Sequence, residues 1–196
     1  MPPKKPSIVE VPPMNYIAVR GKRKPNDENG EYKETIGLLY GIAFTIKMSY
    51  KGDHKIDGYF EYVVTPFEGF WRQDGTDDID YTRKENFNFI SLIRLPDFVT
   101  KKDFDWAIAE ATKKKKTDFS KVEFLIYNEE LCVQCMHIGS YDDELVTIAA
   151  MHELAEQNGF EPDITNRRYH HEIYLSDPRK CDVSKLKTVV RHPITK

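Results

Sequence analysis

The stretch M-H-I-G-S-Y-D-D-E-L-V-T-I-A-A-M-H-E-L-A-E-Q-N-G-F, residues 136–160, contains a complete strand-to-helix transition. An apolar extended run ends at Gly139, and Ser140 and Asp143 then have the spacing of a capping box, which starts helices. The apolar residues beyond it form one helical stripe: Leu145, Ile148, Ala149 and Ala155. Asn158-Gly159 is typical of a helix end. The stretch therefore predicts a strand, a capped helix and a sharp stop.

The residues before this stretch follow the same order of elements. An extended run over 7–21, interrupted by two prolines, precedes a segment over 34–50 whose apolar residues have helical spacing. Two β-rich runs follow, a long one over 58–72 with a proline-glycine bend and a short one over 87–96. The first half therefore predicts strand, helix, strand, strand.

The second half repeats that order. Its helix is preceded by an extended run over 123–139 and followed by two strand-like runs over 168–175 and 186–194. Between the halves, T-K-K-D at Thr100–Asp103 has the capping-box form and opens a helix that ends in the lysine run 113–116. Cations near a helix C-terminus complement its dipole, so this run does not by itself indicate nucleic-acid binding.

These elements predict an α+β fold built from a duplicated β-α-β-β module. We expect one domain over residues 1–196, with pseudo-repeat 1 at about 7–97, a linker helix at about 100–116 and pseudo-repeat 2 at about 121–194. Two antiparallel-sheet halves related by pseudo-twofold symmetry would leave a central ligand cleft where they meet.

Composition limits the class of protein. The chain has 196 residues, 40% of them hydrophobic, and a formal net charge of −3. It has no apolar run long enough for a membrane helix and no signal-peptide pattern at its start, so we expect a soluble, cytoplasmic protein without a membrane partner. The net charge and the lack of a DNA-binding motif argue against direct contact with nucleic acid. We expect a monomer or weak dimer.

Common catalytic and metal-binding motifs are absent from the sequence. Cys132 and Cys135 have C-x-x-C spacing, but they lie in an extended run, where residues three apart point to opposite faces, so we predict small buried side chains. The adjacent His170 and His171 would likewise face opposite ways. No H-E-x-x-H, G-x-S-x-G, Walker or G-x-G-x-x-G motif occurs. We therefore predict no metal and no organic cofactor.

Two glutamates stand in the middle of predicted strands among aromatic residues. Glu172 lies in Y-H-H-E-I-Y-L, with His170 and Tyr174 on its own strand face, and Glu61 lies in G-Y-F-E-Y-V-V. One interpretation is that both lie on a solvated sheet face. The other is that rings partly desolvate the carboxylate, which raises its basicity and attracts cations or polarised electrophiles.

Several motifs together resemble the GyrI-like small-molecule-binding family. They are P-F-E-G-F-W, the quoted stretch 136–160, H-E-I-Y-L-S-D-P and K-L-K-T-V-V-R-H-P, in this order over about residues 7–193. The resemblance implies a duplicated SHS2 module with a cleft for flat, hydrophobic, often cationic compounds, and it implies that Glu172 is the pocket carboxylate. Some relatives carry a DNA-binding region of MerR or AraC type; six residues before Ser7 cannot form one, so we expect this chain not to be a self-contained transcription factor.

The P-F-E-G-F-W bend and the S-D-P-R-K segment also resemble a stand-alone subgroup that hydrolyses the cyclopropane of cyclopropanoid DNA-alkylating compounds. This implies a role in detoxification and xenobiotic resistance, with Glu172 as general base and Tyr141 or His137 as donor to the developing phenolate. The expected ligand-binding residues are Trp71, Trp106, Tyr62, Tyr174, Glu61 and Tyr40. Two alternatives stay open: a non-catalytic module that sequesters or senses a drug, and a gyrase-inhibitor-like protein that binds another protein.

Overall fold

The structure is a computed structural model, which describes residues 4–22, 30–73 and 87–196. The polar segment K-R-K-P-N-D-E-N-G at 22–30, whose composition is typical of a loop, and the segment D-G-T-D-D-I-D at 74–80, which is typical of a turn, lie mostly or wholly outside these ranges. The described strands are β1 (Ser7–Val11), β2 (Met14–Lys22), β3 (Phe67–Gln73), β4 (Phe87–Arg94), β5 (Glu123–Tyr127), β6 (Glu130–Ile138), β7 (Glu161–Pro162), β8 (His170–Tyr174) and β9 (Lys187–Thr195). The described helices are α1 (Glu31–Lys47), α2 (Lys101–Lys115) and α3 (Glu144–Gln157). The α+β class is confirmed.

All described strand pairs are antiparallel, and they form a sheet in the order β1-β6-β9-β8-β3-β4-β2-β5, with β7 paired to the end of β9. The strands of the two halves meet at the centre, where β3 pairs with β8. The first strand of each half pairs with the other half: β1 with β6, and β5 with β2. On both sides of α2 the structure has two strands, a helix and two longer strands, because each extended run predicted before a helix is divided into two strands, β1–β2 and β5–β6; the short β7 lies between α3 and β8. The repeat boundaries near residues 97 and 121 stay a prediction.

The helices cover one face of the sheet. α1 and α2 pack over the first half on a core that includes Ile17, Ile42 and Ile93, and α3 packs over the second half on Val133 and Val190. The opposite face is also buried and is lined by Tyr16, Phe70 and Leu92. Among the described residues, no helix is both long and apolar enough to span a membrane.

The capping predictions were correct for α2 and needed adjustment for α3. At α2, the Thr100 side chain accepts a hydrogen bond from the Asp103 backbone N–H, and the Asp103 side chain accepts one from the Thr100 backbone N–H. Before α3, the Ser140 side chain bonds to the backbone of Asp142, at 3.2 Å, and caps a short 3-10 turn at Tyr141–Asp143. The helix proper therefore begins at Glu144.

The strand predicted over 58–72 is wrong for its first part. Residues 59–66 are irregular, and β3 begins only at Phe67. Pairing explains the difference: β3 bonds to β4 and β8 from Phe67 and Glu68 onward, whereas the aromatic residues before Pro66 pack on one another and on Phe98 instead. Glu61 consequently lies exposed in an irregular segment and not in mid-strand.

Candidate functional site

Glu172 lies at the junction of the two halves, on the helix-covered face of the sheet. It is on β8, opposite Gly69 of β3 and Val190 of β9. Its side chain is only 14% exposed. A Cβ at Gly69 would lie 2.9 Å from Trp71 Nε1 and 3.2 Å from Tyr174 Oη, so the missing side chain makes room for these two groups. The sheet thus holds a largely buried carboxylate beside two aromatic side chains.

The aromatic side chains beside Glu172 are joined by polar contacts. Trp71 Nε1 donates to Tyr174 Oη at 3.1 Å, and, after burial, Glu172 and Tyr32 are the neighbours that raise the pKa of Tyr174. The Tyr32 ring lies 5.6 Å from Trp71, centroid to centroid. Since its oxygen accepts from the indole, the Tyr174 hydroxyl is set to donate to the carboxylate.

Tyr141 approaches the same group from the turn before α3. Its ring meets Tyr174 edge-on, with 5.9 Å between centroids. Burial raises the pKa of Tyr141, and the negative charge of Glu172 raises it further; the same two causes, in that order, raise the pKa of Tyr174 well above its usual range. Both hydroxyls therefore stay protonated at neutral pH and can serve as hydrogen-bond donors.

Behind Glu172 runs a continuous chain of histidines. His170 Nε2 lies 2.9 Å from Glu172 Oε1, His170 Nδ1 lies 2.6 Å from His192 Nε2, and His192 Nδ1 lies 2.8 Å from His152 Nε2. His170 and His192 are both buried, and His152 on α3 is half-buried. Burial lowers the pKa of His192 well below its usual value, and the neighbouring His170 and His152 lower it further, so this ring is neutral.

Glu144, the first residue of α3, completes an acid–histidine cluster. Among the described residues, Glu144, His170 and Glu172 form one group of three whose ligand-type atoms all lie within 4.8 Å of one another. His170 Nε2 and Glu172 Oε1 are already at hydrogen-bond distance, and His170 Nδ1 is bonded to His192. We therefore interpret the group as a hydrogen-bonded cluster, and the absence of a metal stays a prediction.

The residues expected at the site divide into two sets. Glu172, Tyr141, Trp71 and Tyr174 come together as described. Tyr40 lies on α1, and its ring lies 6.1 Å from that of Phe44, centroid to centroid; burial raises its pKa, and the charge of Asp177 raises it further.

The other expected residues lie elsewhere. Trp106 stacks on His54 with 4.1 Å between centroids and lines a separate cavity of about 570 Å³, and Tyr62 lines another of about 400 Å³ with Phe98. Glu172 lines neither cavity. Trp106 on α2 faces the C-terminal end of α1, and Tyr62, in the irregular segment before β3, faces the loop after β4. Glu61 is exposed in that same irregular segment.

His137 is close to Tyr141 in the chain, but both of its ring nitrogens are bonded to protein groups. Nδ1 lies 2.8 Å from Thr147 Oγ1 and Nε2 lies 2.9 Å from the Ser140 carbonyl oxygen. These bonds tie the end of β6 to the turn and to α3. The geometry indicates that His137 positions the turn that carries Tyr141.

The opposite face of the sheet holds a buried ionic cluster. His171 lies 2.9 Å from Glu68 Oε2 through Nε2 and 2.9 Å from Glu129 Oε1 through Nδ1, and Arg191 bonds to Glu129 at 2.7 Å. Burial disfavours the charged form of His171, but the carboxylates of Glu129 and Glu68 favour it more strongly, so the pKa of His171 is raised. As expected for neighbours on a strand, His170 and His171 serve opposite faces.

The sequence interpretation missed five residues near Glu172: Tyr32, Gly69, Glu144, His152 and His192. A signal existed for two of them: Gly69 lies in the P-F-E-G-F-W motif, and R-H-P places His192 in a predicted strand, although only the register of β8 and β9 brings His192 beside His170. The other three lie on α1 or α3, and their approach to Glu172 depends on tertiary packing.

Solved structures share this architecture over nearly the whole chain. One, described as a hydrolase from Listeria innocua, has 41% sequence identity and a TM-score of 0.88, covering 100% of this chain and 94% of that chain. Another, an uncharacterized conserved protein from Listeria innocua, has 42% identity and a TM-score of 0.90, covering 99% and 94%. The C-terminal domain of EcmrR, at 15% identity and a TM-score of 0.56 over 98% of both chains, shows a shared fold alone.

Residues 4–195 match the family model of the GyrI-like small molecule binding domain. No curated protein matches the chain. The family match spans the described sheet, all three helices and the Glu172 cluster. The chain therefore belongs to the GyrI-like small-molecule-binding domain family.

Proposed function

We propose that the protein hydrolyses the electrophilic cyclopropane of cyclopropanoid DNA-alkylating compounds with water activated by Glu172. The observation that carries the proposal is the carboxylate itself, 14% exposed and surrounded by Trp71, Tyr141 and Tyr174. A carboxylate in such surroundings suits a flat, hydrophobic ligand that is cationic or electrophilic.

The proposed reaction adds one water molecule to the ligand. Glu172 takes a proton from water while the water oxygen attacks the ring CH₂, and the strained C–C bond breaks. The electron pair of that bond moves into the conjugated dienone, whose oxygen becomes a phenolate and takes a proton from the Tyr141 hydroxyl. Glu172 then returns its proton to Tyr141 through solvent, so the protein is regenerated. General-base catalysis contributes roughly 10² to 10⁴-fold in rate.

The aromatic side chains would hold the ligand in place. Trp71 and Tyr32 present rings 5.6 Å apart at an angle of 34°, and the Trp71–Tyr174 hydrogen bond fixes the indole beside the carboxylate. We assign the phenolate donor to Tyr141 and not to His137, since both ring nitrogens of His137 are occupied. The family supports small-molecule binding, and the relative at 41% identity described as a hydrolase supports turnover.

The alternative is a module that binds or sequesters such compounds without turnover. The family description, which refers to binding of small molecules, favours it. The same side chains give affinity without reaction if no water is positioned between Glu172 and the ligand. In either role we propose protection of the cell against a xenobiotic.

Mass spectrometry of a duocarmycin-type compound incubated with the protein separates the two. Wild type is expected to yield the compound plus one water, and Glu172→Gln is expected to slow this at least about 10²-fold while leaving binding largely intact. Glu10→Gln, an exposed glutamate on β1, is the matched control and should retain the wild-type rate. Tight binding without a hydration product in wild type would refute the hydrolase and leave the binding module.

A further inference from the structure

The hydrogen-bonded chain from Glu172 through His170 and His192 to His152 crosses the buried interior of the second half. Its three links are 2.9, 2.6 and 2.8 Å long, and each uses a different ring nitrogen or carboxylate oxygen. The two inner histidines, His170 and His192, are each 1% exposed, whereas His152 on α3 is half-buried. The chain thus joins the carboxylate at the centre of the sheet to a ring near the surface.

The hydrogen bonds dictate the tautomer of every ring. An ionised Glu172 only accepts, so His170 must donate from Nε2, which leaves Nδ1 of a neutral ring as an acceptor. His192 then donates from Nε2 and accepts at Nδ1, and His152 donates from its own Nε2. Every ring of the chain therefore carries its proton on Nε2, and all three donors point toward Glu172.

We propose that this chain is a proton path that exchanges the proton of Glu172 with solvent through His152. A proton bound at His152 Nδ1 releases the Nε2 proton of His152 to His192 Nδ1. His192 Nε2–H then passes to His170 Nδ1, and His170 Nε2–H passes to Glu172. The end state is a neutral Glu172 and three neutral rings that carry their protons on Nδ1, so one proton has been taken up; the reverse sequence releases it.

Other titratable groups face the path at its inner end. Tyr141 and Tyr174 act on Glu172 from the turn before α3 and from β8, and Glu144 from the start of α3. His192 meets His170 on one side and His152 on the other. The tyrosines stay protonated, so the carboxylates and the histidines determine where a proton resides.

The path matters for the proposed function because a bound ligand would cover the open side of Glu172. In that setting the histidines can deliver a solvent proton to ionised Glu172 from behind, and they carry it out again only while the three rings hold their protons on Nδ1. This role in catalysis rests on the proposed hydrolysis, whereas the path itself does not, so the two can be tested separately.

Nitrogen-15 NMR of histidine-labelled protein without any ligand tests the path. Neutral His170 and His192 with protons on Nε2 are expected at pH 8, and exchange of these protons with solvent should accelerate when imidazole buffer is added. In His152→Gln the amide still bonds to His192 Nδ1 but cannot relay a proton, so the tautomers should persist while exchange slows about tenfold or more.

His54→Gln is the matched control, because His54 is a partly buried histidine bonded to Asp103 and has no link to Glu172. It should leave the exchange rates of His170 and His192 unchanged. Protons on Nδ1 of His170 or His192 at pH 8, or equal exchange rates in wild type and His152→Gln, would overturn the path. Since no substrate is present, a protein that only binds its ligand gives the same result as a hydrolase.

Discussion

Replacing His171 by glutamine should destabilise the fold strongly. The imidazolium donates to two buried carboxylates, Glu68 and Glu129, at 2.9 Å each. Hydrogen bonds to charged groups contribute about 1.5–3 kcal/mol each, and removing one member of a buried ion pair costs about 3–5 kcal/mol. Glutamine keeps at most one of these bonds and carries no charge, so we expect a loss of about 3–5 kcal/mol.

Urea unfolding with linear extrapolation measures this loss. For a chain of this length, about 2–4 °C of Tm corresponds to 1 kcal/mol, so the variant should melt roughly 6–20 °C lower. His54→Gln removes a single, less buried histidine–carboxylate contact and should cost only about 1 kcal/mol. A loss for His171→Gln no larger than that of the control would refute the reasoning.

The difference in stability between wild type and His171→Gln should depend on pH. The pKa of His171 is raised in the folded state, so its contribution is fully present below its unfolded pKa of about 6.5 and is lost as pH rises through the folded value. The stability gap between wild type and His171→Gln should therefore narrow at alkaline pH. Glu129, whose pKa is lowered to about 2, contributes above its unfolded pKa of about 4.3 and loses this as pH falls toward 2.

Three further substitutions test packing and the site. Gly37→Ala should stabilise the fold by about 0.5–1 kcal/mol, because it lies in mid-helix and nothing lies within 4 Å of the added methyl group. Gly41→Ala should destabilise the fold, because its Cβ would lie 2.8 Å from the Phe119 ring. Thermal melts compare the two variants directly, and equal shifts in Tm would contradict the packing argument. Trp71→Phe removes the indole donor to Tyr174 and should weaken binding of a flat ligand about fivefold to tenfold, as measured by fluorescence titration; unchanged affinity would place the ligand elsewhere.

Local sequence patterns predicted most elements of the fold because those elements follow local rules. The Thr100–Asp103 capping box and the helical stripe of α3 depend on spacing within one or two turns, and both are present. The strand prediction for residues 59–66 was wrong for the opposite reason, because a strand depends on distant residues as well as on local ones. Alternating aromatic residues are compatible with a strand, but a strand also needs a partner edge, and here the edge is available only from Phe67 onward.

The site was predictable to the extent that it lies on one strand. His170, Glu172 and Tyr174 alternate along β8, so their shared face followed from the period of two residues. His152 and His192 lie on α3 and β9, and only the pairing of β8 with β9 and the packing of α3 bring them to His170. Trp106 is the reverse case. We expected this aromatic residue at the ligand cleft, but it lies on α2 and lines another cavity.

The exchange of first strands between the halves has a consequence for synthesis of the chain. β1 begins at Ser7 yet pairs with β6, where Ser7 lies opposite Gln134. As the polypeptide leaves the ribosome, its first strand must wait for most of the chain before its partner exists, and β2 likewise waits for β5. A chain cut after α2 would expose two unpaired sheet edges, which invite aggregation. The two halves therefore depend on each other, and the sheet can be completed only after both have been synthesised.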